Sequence, residues 1–319
     1  MKVKPALLRF LFQALLITVV CLGTDSTPPA QGAEGAIGVY LLGYNSSMAG
    51  VLPPTGLYLR NDFYAYQGTA KKIPLSGRIE ADLRCRSIID LTTLSYVTPN
   101  KILGANYAVG ISWGAVVNTF IKGRVESANI ISRTGEGDFT AVGDMFFSPI
   151  MLGWHLGQFH ILASGNVVVP VGAYNSDRIL NTGLNRWAIL PIVAVTWLQP
   201  KYGQECSVTL GYNINLRNYA TKYTTGHELT TEFFLGQHLP KGFALGLAGY
   251  FYQQVTGDSG AGAGLGAFMG QALAIGPCVT YSGKIGKHAI GVNLRYYNEL
   301  TVTNRLHGQS FFGTLSFGF

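Results

Sequence analysis

The chain has 319 residues, of which 12 % are charged and 41 are glycine, with a formal net charge of +7. That length suffices for one large domain, but the charge is low for a soluble enzyme, in which about a quarter of residues are charged. The basic excess is scattered, not gathered into a stripe with interleaved aromatics, so no nucleic-acid partner is expected.

Lys2, Lys4 and Arg9 precede an apolar run over 10–23, the layout of a secretory leader. The run falls short of the about 20 residues that a spanning helix needs. Ala30, Gly32 and Ala33 suit cleavage, so residues 1–33 read as a signal peptide. Val20 before Cys21 argues against a lipid anchor, since that processing wants a small residue there. The remaining chain has 20 basic and 15 acidic residues, a net charge of +5. Its cysteines, Cys85, Cys206 and Cys278, are odd in number and lack ligand spacing, which predicts neither a disulfide framework nor a zinc site.

Residues 34–55 are apolar and Gly-rich and carry the stiff pair Pro53 and Pro54. Ahead of the first strand, this segment has three options: to fold inward as a plug, to line the barrel mouth, or to pair as an extra strand. From residue 56 the period is two. Ile79, Ala81, Leu83, Cys85 and Ile89 alternate with Arg78, Glu80, Asp82, Arg84 and Arg86. Val208, Leu210, Tyr212, Ile214 and Leu216 oppose Thr209, Asn213, Asn215 and Arg217. Leu229, Phe233 and Leu235 oppose Thr230 and Glu232, and Ile290, Val292 and Leu294 oppose Asn293 and Arg295.

A soluble sandwich would alternate too, so the connectors decide. Turn signals divide 56–319 into about 12 strands, starting near Gly56, Gly77, Ala105, Asp138, Phe159, Asn185, Gln204, His227, Phe243, Gly270, His288 and Ser310. Short connectors at 155–158, 199–203, 238–242 and 283–287 alternate with long ones at 121–137, 173–184, 218–226, 256–269 and 299–309. Long outer loops and tight periplasmic turns define an all-β transmembrane antiparallel barrel of the outer membrane. Phe311, Leu315, Phe317 and the terminal Phe319 keep period two, which resembles the signal read by the outer-membrane assembly machinery. That machinery and outer-membrane lipid are the expected partners. Trp113, Trp154, Trp187 and Trp197 suit interfacial girdles.

The runs GVYLLGYNSSMAGVLPPTGLYLRND, GRIEADLRCRSIIDL, MLGWHLGQFHI, NTGLNRWAILP and YQQVTGDSGAGAGLGAF together resemble the meta-pathway phenol-degradation family. The resemblance covers nearly all of the chain beyond the leader. It implies an outer-membrane barrel associated with uptake of hydrophobic or aromatic compounds, not catalysis of phenol breakdown.

With apolar faces toward lipid, the first strands would place Tyr58, Arg60, Asp62, Tyr64, Glu80, Asp82, Arg84 and Arg86 on the pore wall, joined by Arg217, Glu232 and Arg295. The same residues would equally build a lumenal salt-bridge network. Gly110, Ser112 and Gly114 argue for an interior that is not fully packed. The expected function is a passive channel for small hydrophobic or aromatic solutes. The rivals are a phospholipase-like hydrolase using Ser259, and a closed structural barrel. Gly257, Asp258, Ser259 and Gly260 look like a protease nucleophile loop but stand in a Gly-rich connector without the rest of that pattern. Gly260, Gly262, Gly264 and Gly266 miss the dinucleotide spacing. His227 and Glu228 open like a zinc-protease motif whose second ligand position holds Thr231. His155 and His160 flank a short turn. No catalytic residue, cofactor or metal is expected.

Overall fold

The computed structural model describes residues 34, 38–75, 78–126, 133–176, 181–263 and 269–319. The proposed signal peptide, 1–33, lies outside them. Alternation of Leu57, Leu59 and Phe63 with Tyr58, Arg60 and Asp62 gives β1 (Gly56–Leu75) one apolar and one polar face. The same pattern produces β2 (Arg78–Ile102), β3 (Ala105–Glu126), β4 (Arg133–Ala141), β5 (Met145–Leu156) and β6 (Phe159–Val169). It continues in β7 (Ala188–Gln199), β8 (Gln204–Asn215), β9 (Glu228–His238) and β10 (Phe243–Gln254). The last strands are β11 (Gln271–Ile285), β12 (His288–Thr303) and β13 (His307–Gly318).

Every pairing is antiparallel. Apart from β4 and β5, which both pair with β3, each strand meets its sequence neighbour, and β1 also pairs with β13, which joins the two ends. The outer half of β3 pairs with β4 and its inner half with β5. Those two are therefore one stave broken at Val142, Gly143 and Asp144, and the sheet closes as a 12-strand barrel. At the level of β5 the ladder is continuous around the barrel, the condition for a sheet to sit in hydrocarbon. Only β4, above it, keeps one edge without a strand partner among the described residues.

The sense of the faces follows from exposure. Leu57, Phe63, Ile189, Val193, Leu210, Leu235, Leu245, Leu294 and Leu315 are exposed, while Asp62, Thr209, Glu228, Glu232, Arg295 and Ser310 are buried. An apolar band of this extent, outside a polar interior, is the surface of a protein solvated by lipid. On β1 the band runs from Leu57 to Ala65, matching the about 9–11 residues of a spanning strand. β1, β2 and β3, with 20, 25 and 22 residues, project beyond it.

The connectors differ from expectation in two places. The segments 121–137 and 299–309, read as long loops, are largely strand: β3 continues to Glu126, β12 ends at Thr303 and β13 begins at His307. Polar residues on both faces resemble a loop in sequence. Yet outside the bilayer both faces of a hairpin meet water, and the ladder continues. The inner turns are tight: Leu103 and Gly104, with φ of 52° and 75°, link β2 to β3 by two residues in the left-handed region. Trp154 and Trp197 donate to Leu103 O and Gln158 Oε1 at this end, both at 3.2 Å.

Candidate functional site

Residues 38–55, ahead of β1, run along the inward-facing side chains. Glu232 of β9 accepts hydrogen bonds from Tyr40 Oη (2.8 Å), Gly43 N (2.8 Å) and Asn45 N (3.1 Å). Glu205 of β8 accepts from Ser47 Oγ (2.8 Å) and Met48 N (2.6 Å) and contacts His238 Nε2 at 2.6 Å. Arg295 of β12 donates to Ser46 Oγ at 3.1 Å, and Gly50 N donates to Thr196 Oγ1 at 2.9 Å. The fit is close. A Cβ on Gly43, whose φ is +88°, would stand 2.4 Å from the Tyr297 ring. One on Gly50 would stand 2.4 Å from His160 O.

Beside Arg295 lies a charged triad. Arg60 makes a fork to Asp62, with Nε and Nη2 at 2.7 and 2.8 Å from its two oxygens. Arg295 approaches the same carboxylate at 3.8 Å, and Thr314 Oγ1 donates to it at 2.5 Å. Asp62 is fully buried, so the two guanidiniums supply the compensation that a buried charge requires.

Above the segment opens a cavity of about 180 Å³. Tyr40, Tyr64, Tyr66 and Tyr250 form one side, and Ile89, Leu91, Val117 and Phe146 another. It extends to Gly143 and Asp144, where the β4–β5 stave breaks. Tyr250 and Tyr66 donate to Glu299 at 3.0 and 3.2 Å, so this carboxylate is occupied by the wall itself. Arg305 also lines the cavity, its guanidinium 4.2 Å over the Tyr252 ring. Among the described residues, Nη1 of Arg305 and Oγ of Ser310 are buried without a hydrogen-bond partner.

Of the residues singled out from sequence, Tyr58, Arg60, Asp62, Tyr64, Glu232 and Arg295 face the interior. Arg84 and Arg86 do not: both are exposed, while Leu83 and Cys85 between and beside them are buried. Register explains the correction. Asp62 pairs with Leu91 and Tyr64 with Ile89, so the apolar side of β2 shares the inner face of β1. Asp90 faces outward with them and accepts from Asn61 Nδ2 at 2.7 Å. Arg217 is also corrected: β8 ends at Asn215, and Arg217 is exposed in the following loop. Glu80 and Asp82 lie outside the residues whose side chains are described.

Several interior residues escaped the sequence reading: Glu205, Glu299, Arg305, Tyr250, Tyr252 and Tyr297. Glu205 continues the buried set of Ser207 and Thr209, and Tyr250 and Tyr252 keep period two, so parity was the available signal. Arg305 sits in a turn, where no periodicity points inward. Ser259 is exposed and bridged through its backbone to Thr224. His227 contacts Tyr212 Oη at 3.0 Å. Among the described residues no group of three or more His, Cys, Asp or Glu side chains is arranged to hold a metal.

These features define a membrane-barrel class with an occupied, tyrosine-lined interior. Over residues 65–315 the chain matches the family described as "Putative MetA-pathway of phenol degradation", and it belongs to that family. Its fold is similar to the COG4313 outer membrane channel from Pseudomonas putida F1, at 16 % identity and a TM-score of 0.63, over 84 % of this chain and 97 % of that one. The NanC porin is more distant, at 10 % identity and a TM-score of 0.39, over 82 % of this chain and 98 % of that one. A comparison with curated proteins found no match.

Proposed function

We propose that this protein is a passive outer-membrane channel for small apolar or aromatic solutes. The lumenal cavity carries the reading. Tyrosine faces and aliphatic side chains surround a space slightly larger than the about 150 Å³ apolar cavity known to hold a benzene ring. The phenol-degradation description of the family supports such a solute, and the likeness to an outer membrane channel supports passage through the barrel. Arg305 Nη1 would donate to an oxygen on the solute, fixing its orientation as a few polar groups do in apolar pockets. Residues 38–55 act as a plug, held by Glu205 and Glu232, that keeps the lumen from being an open water-filled pore. The driving force is the solute gradient, and no cofactor or catalytic residue takes part.

Filling the cavity tests this. Ser87 lines it and faces inward, hydrogen-bonded to Thr119 Oγ1 at 2.9 Å. Ser87→Trp should abolish uptake of an alkylphenol while leaving barrel assembly intact. Unchanged uptake would exclude the cavity from the path. The dense bonding of the 38–55 segment supports a second reading, a permanently closed structural barrel, in which neither protein passes solute.

A further inference from the structure

The outward residues change character at one level of the wall. Register aligns Asn298, Gln309, Gln67, Arg86 and Phe120 across β12, β13, β1, β2 and β3. The next row outward is His307, Thr69, Arg84 and Lys122. One step below the first row stand Tyr296, Phe311, Ala65 and Ile88, which belong to the apolar band. The two polar rows form a shallow groove at the band's upper edge.

Arg84 and Arg86 are exposed in that groove, and Arg86 stands 5.9 Å over the Phe120 ring. Both rows end in an acidic residue on β4, two strands away from the arginines: the first in Asp138 opposite Phe120, which accepts from Asn118 Nδ2 at 2.8 Å, and the second in Glu136 opposite Lys122. The amides of Gln67, Gln309 and Asn298 flank the arginines, offering donors and acceptors to sugar hydroxyls.

We infer that this face binds the phosphorylated sugar headgroup of a glycolipid of the outer leaflet, of the lipopolysaccharide kind, with Arg84 and Arg86 on its phosphates. Guanidinium forks match phosphate oxygens in geometry as well as charge. Position selects a lipid over a soluble anion: directly below the groove, Tyr296, Phe311, Ala65 and Ile88 offer acyl chains an apolar row with Leu294 and Phe63 beneath it, bounded on the β2–β3 side by Asp90 and Asn118. The inference rests on the outer-membrane placement proposed above, with short turns inside and long hairpins outside, but not on transport.

The test uses the refolded barrel in detergent, with bound lipid counted by native mass spectrometry, and needs no solute flux, so it fails or succeeds apart from the channel reading. Wild-type protein should retain lipopolysaccharide and lose it when the lipid is enzymatically dephosphorylated. The double variant Arg84→Gln/Arg86→Gln should bind at least about tenfold more weakly, the loss of two charge-assisted contacts. Inorganic phosphate alone should not displace the lipid at equal concentration. Retention of dephosphorylated lipid by the wild type, equal binding by the variant, or displacement by phosphate alone would each overturn the proposal. The dephosphorylation comparison needs no variant, so it decides even if the double variant fails to fold.

Discussion

Glu232 shows how a single side chain can organise a lumen. It is almost fully buried and receives three donors, one phenol and two backbone amides, all from the segment ahead of β1. Removing it strands those donors, at a cost of about 1–3 kcal/mol for each group that stays buried and unpaired. Glu232→Ala should therefore expose residues 38–50 to protease in the folded barrel and raise its conductance; a segment that stays protected would assign the anchoring to Glu205 alone. Gly43→Ala should act in the same direction, because its Cβ meets the Tyr297 ring. Under the proposed function, Arg305 would contribute selectivity. Losing one hydrogen bond, worth about 0.5–1.5 kcal/mol, Arg305→Leu should reduce uptake of a phenol relative to an alkylbenzene of the same size by about two- to tenfold. An unchanged ratio would remove Arg305 from the solute's path.

At the scale of elements, alternation revealed the strands and nearly all their starting points, but not which face of each was inside. For β8, β9 and β12 the polar face is the inner one, as the sequence suggested. For β2 the sense is reversed, because its partner β1 fixes the register and the outer half of β2 rises above the hydrocarbon. There, Arg84 and Arg86 meet headgroups and water at no desolvation cost, while Asp90, lower on the same face, is held by Asn61 Nδ2 and sits beside Phe63. Arg217 failed for a different reason: the parity was right, but pairing stopped at Asn215, and Asn218 instead bridges Tyr223 across the loop. Cysteine labelling checks the reversal. Arg84→Cys should react in intact cells with a membrane-impermeant thiol reagent, whereas Leu83→Cys, on the opposite and buried face, should not. The opposite pattern would restore the charged face of β2 to the lumen.

The outer loops carry their own latch. Asp258 accepts from Gly226 N and Gln254 Nε2, each at 2.7 Å, and from Tyr223 Oη. Burial raises its carboxyl above the ordinary value, so folding favours the protonated form. As pH falls from neutral through that raised value toward the usual carboxylate range near about 4, this group gains protons in the folded loop first and adds stability. Hydrogen exchange at the Gly226 amide should thus show opening no more frequent at pH 5 than at pH 7, after correction for intrinsic rates. Opening that increases with acid would mean that the ionised form holds the latch.

The whole molecule reconciles two demands. Lipid requires a closed ladder with apolar residues outward, and the proposed solute path requires an interior that is neither an open aqueous pore nor a solid core. The chain meets the first with 12 staves and the second by threading residues 38–55 along one side of the lumen beneath a tyrosine-walled cavity. The first was legible in sequence because period and connector length are local signals. The second was only partly legible, since the segment's contacts, such as Tyr40 with Glu232, join residues 192 positions apart. The most direct measurement is swelling of liposomes carrying the refolded protein, with a phenolic solute compared against a sugar of similar size. The account predicts that the phenol enters faster than the sugar and that Ser87→Trp removes the difference. Equal rates for both solutes, or no swelling with either, would contradict it.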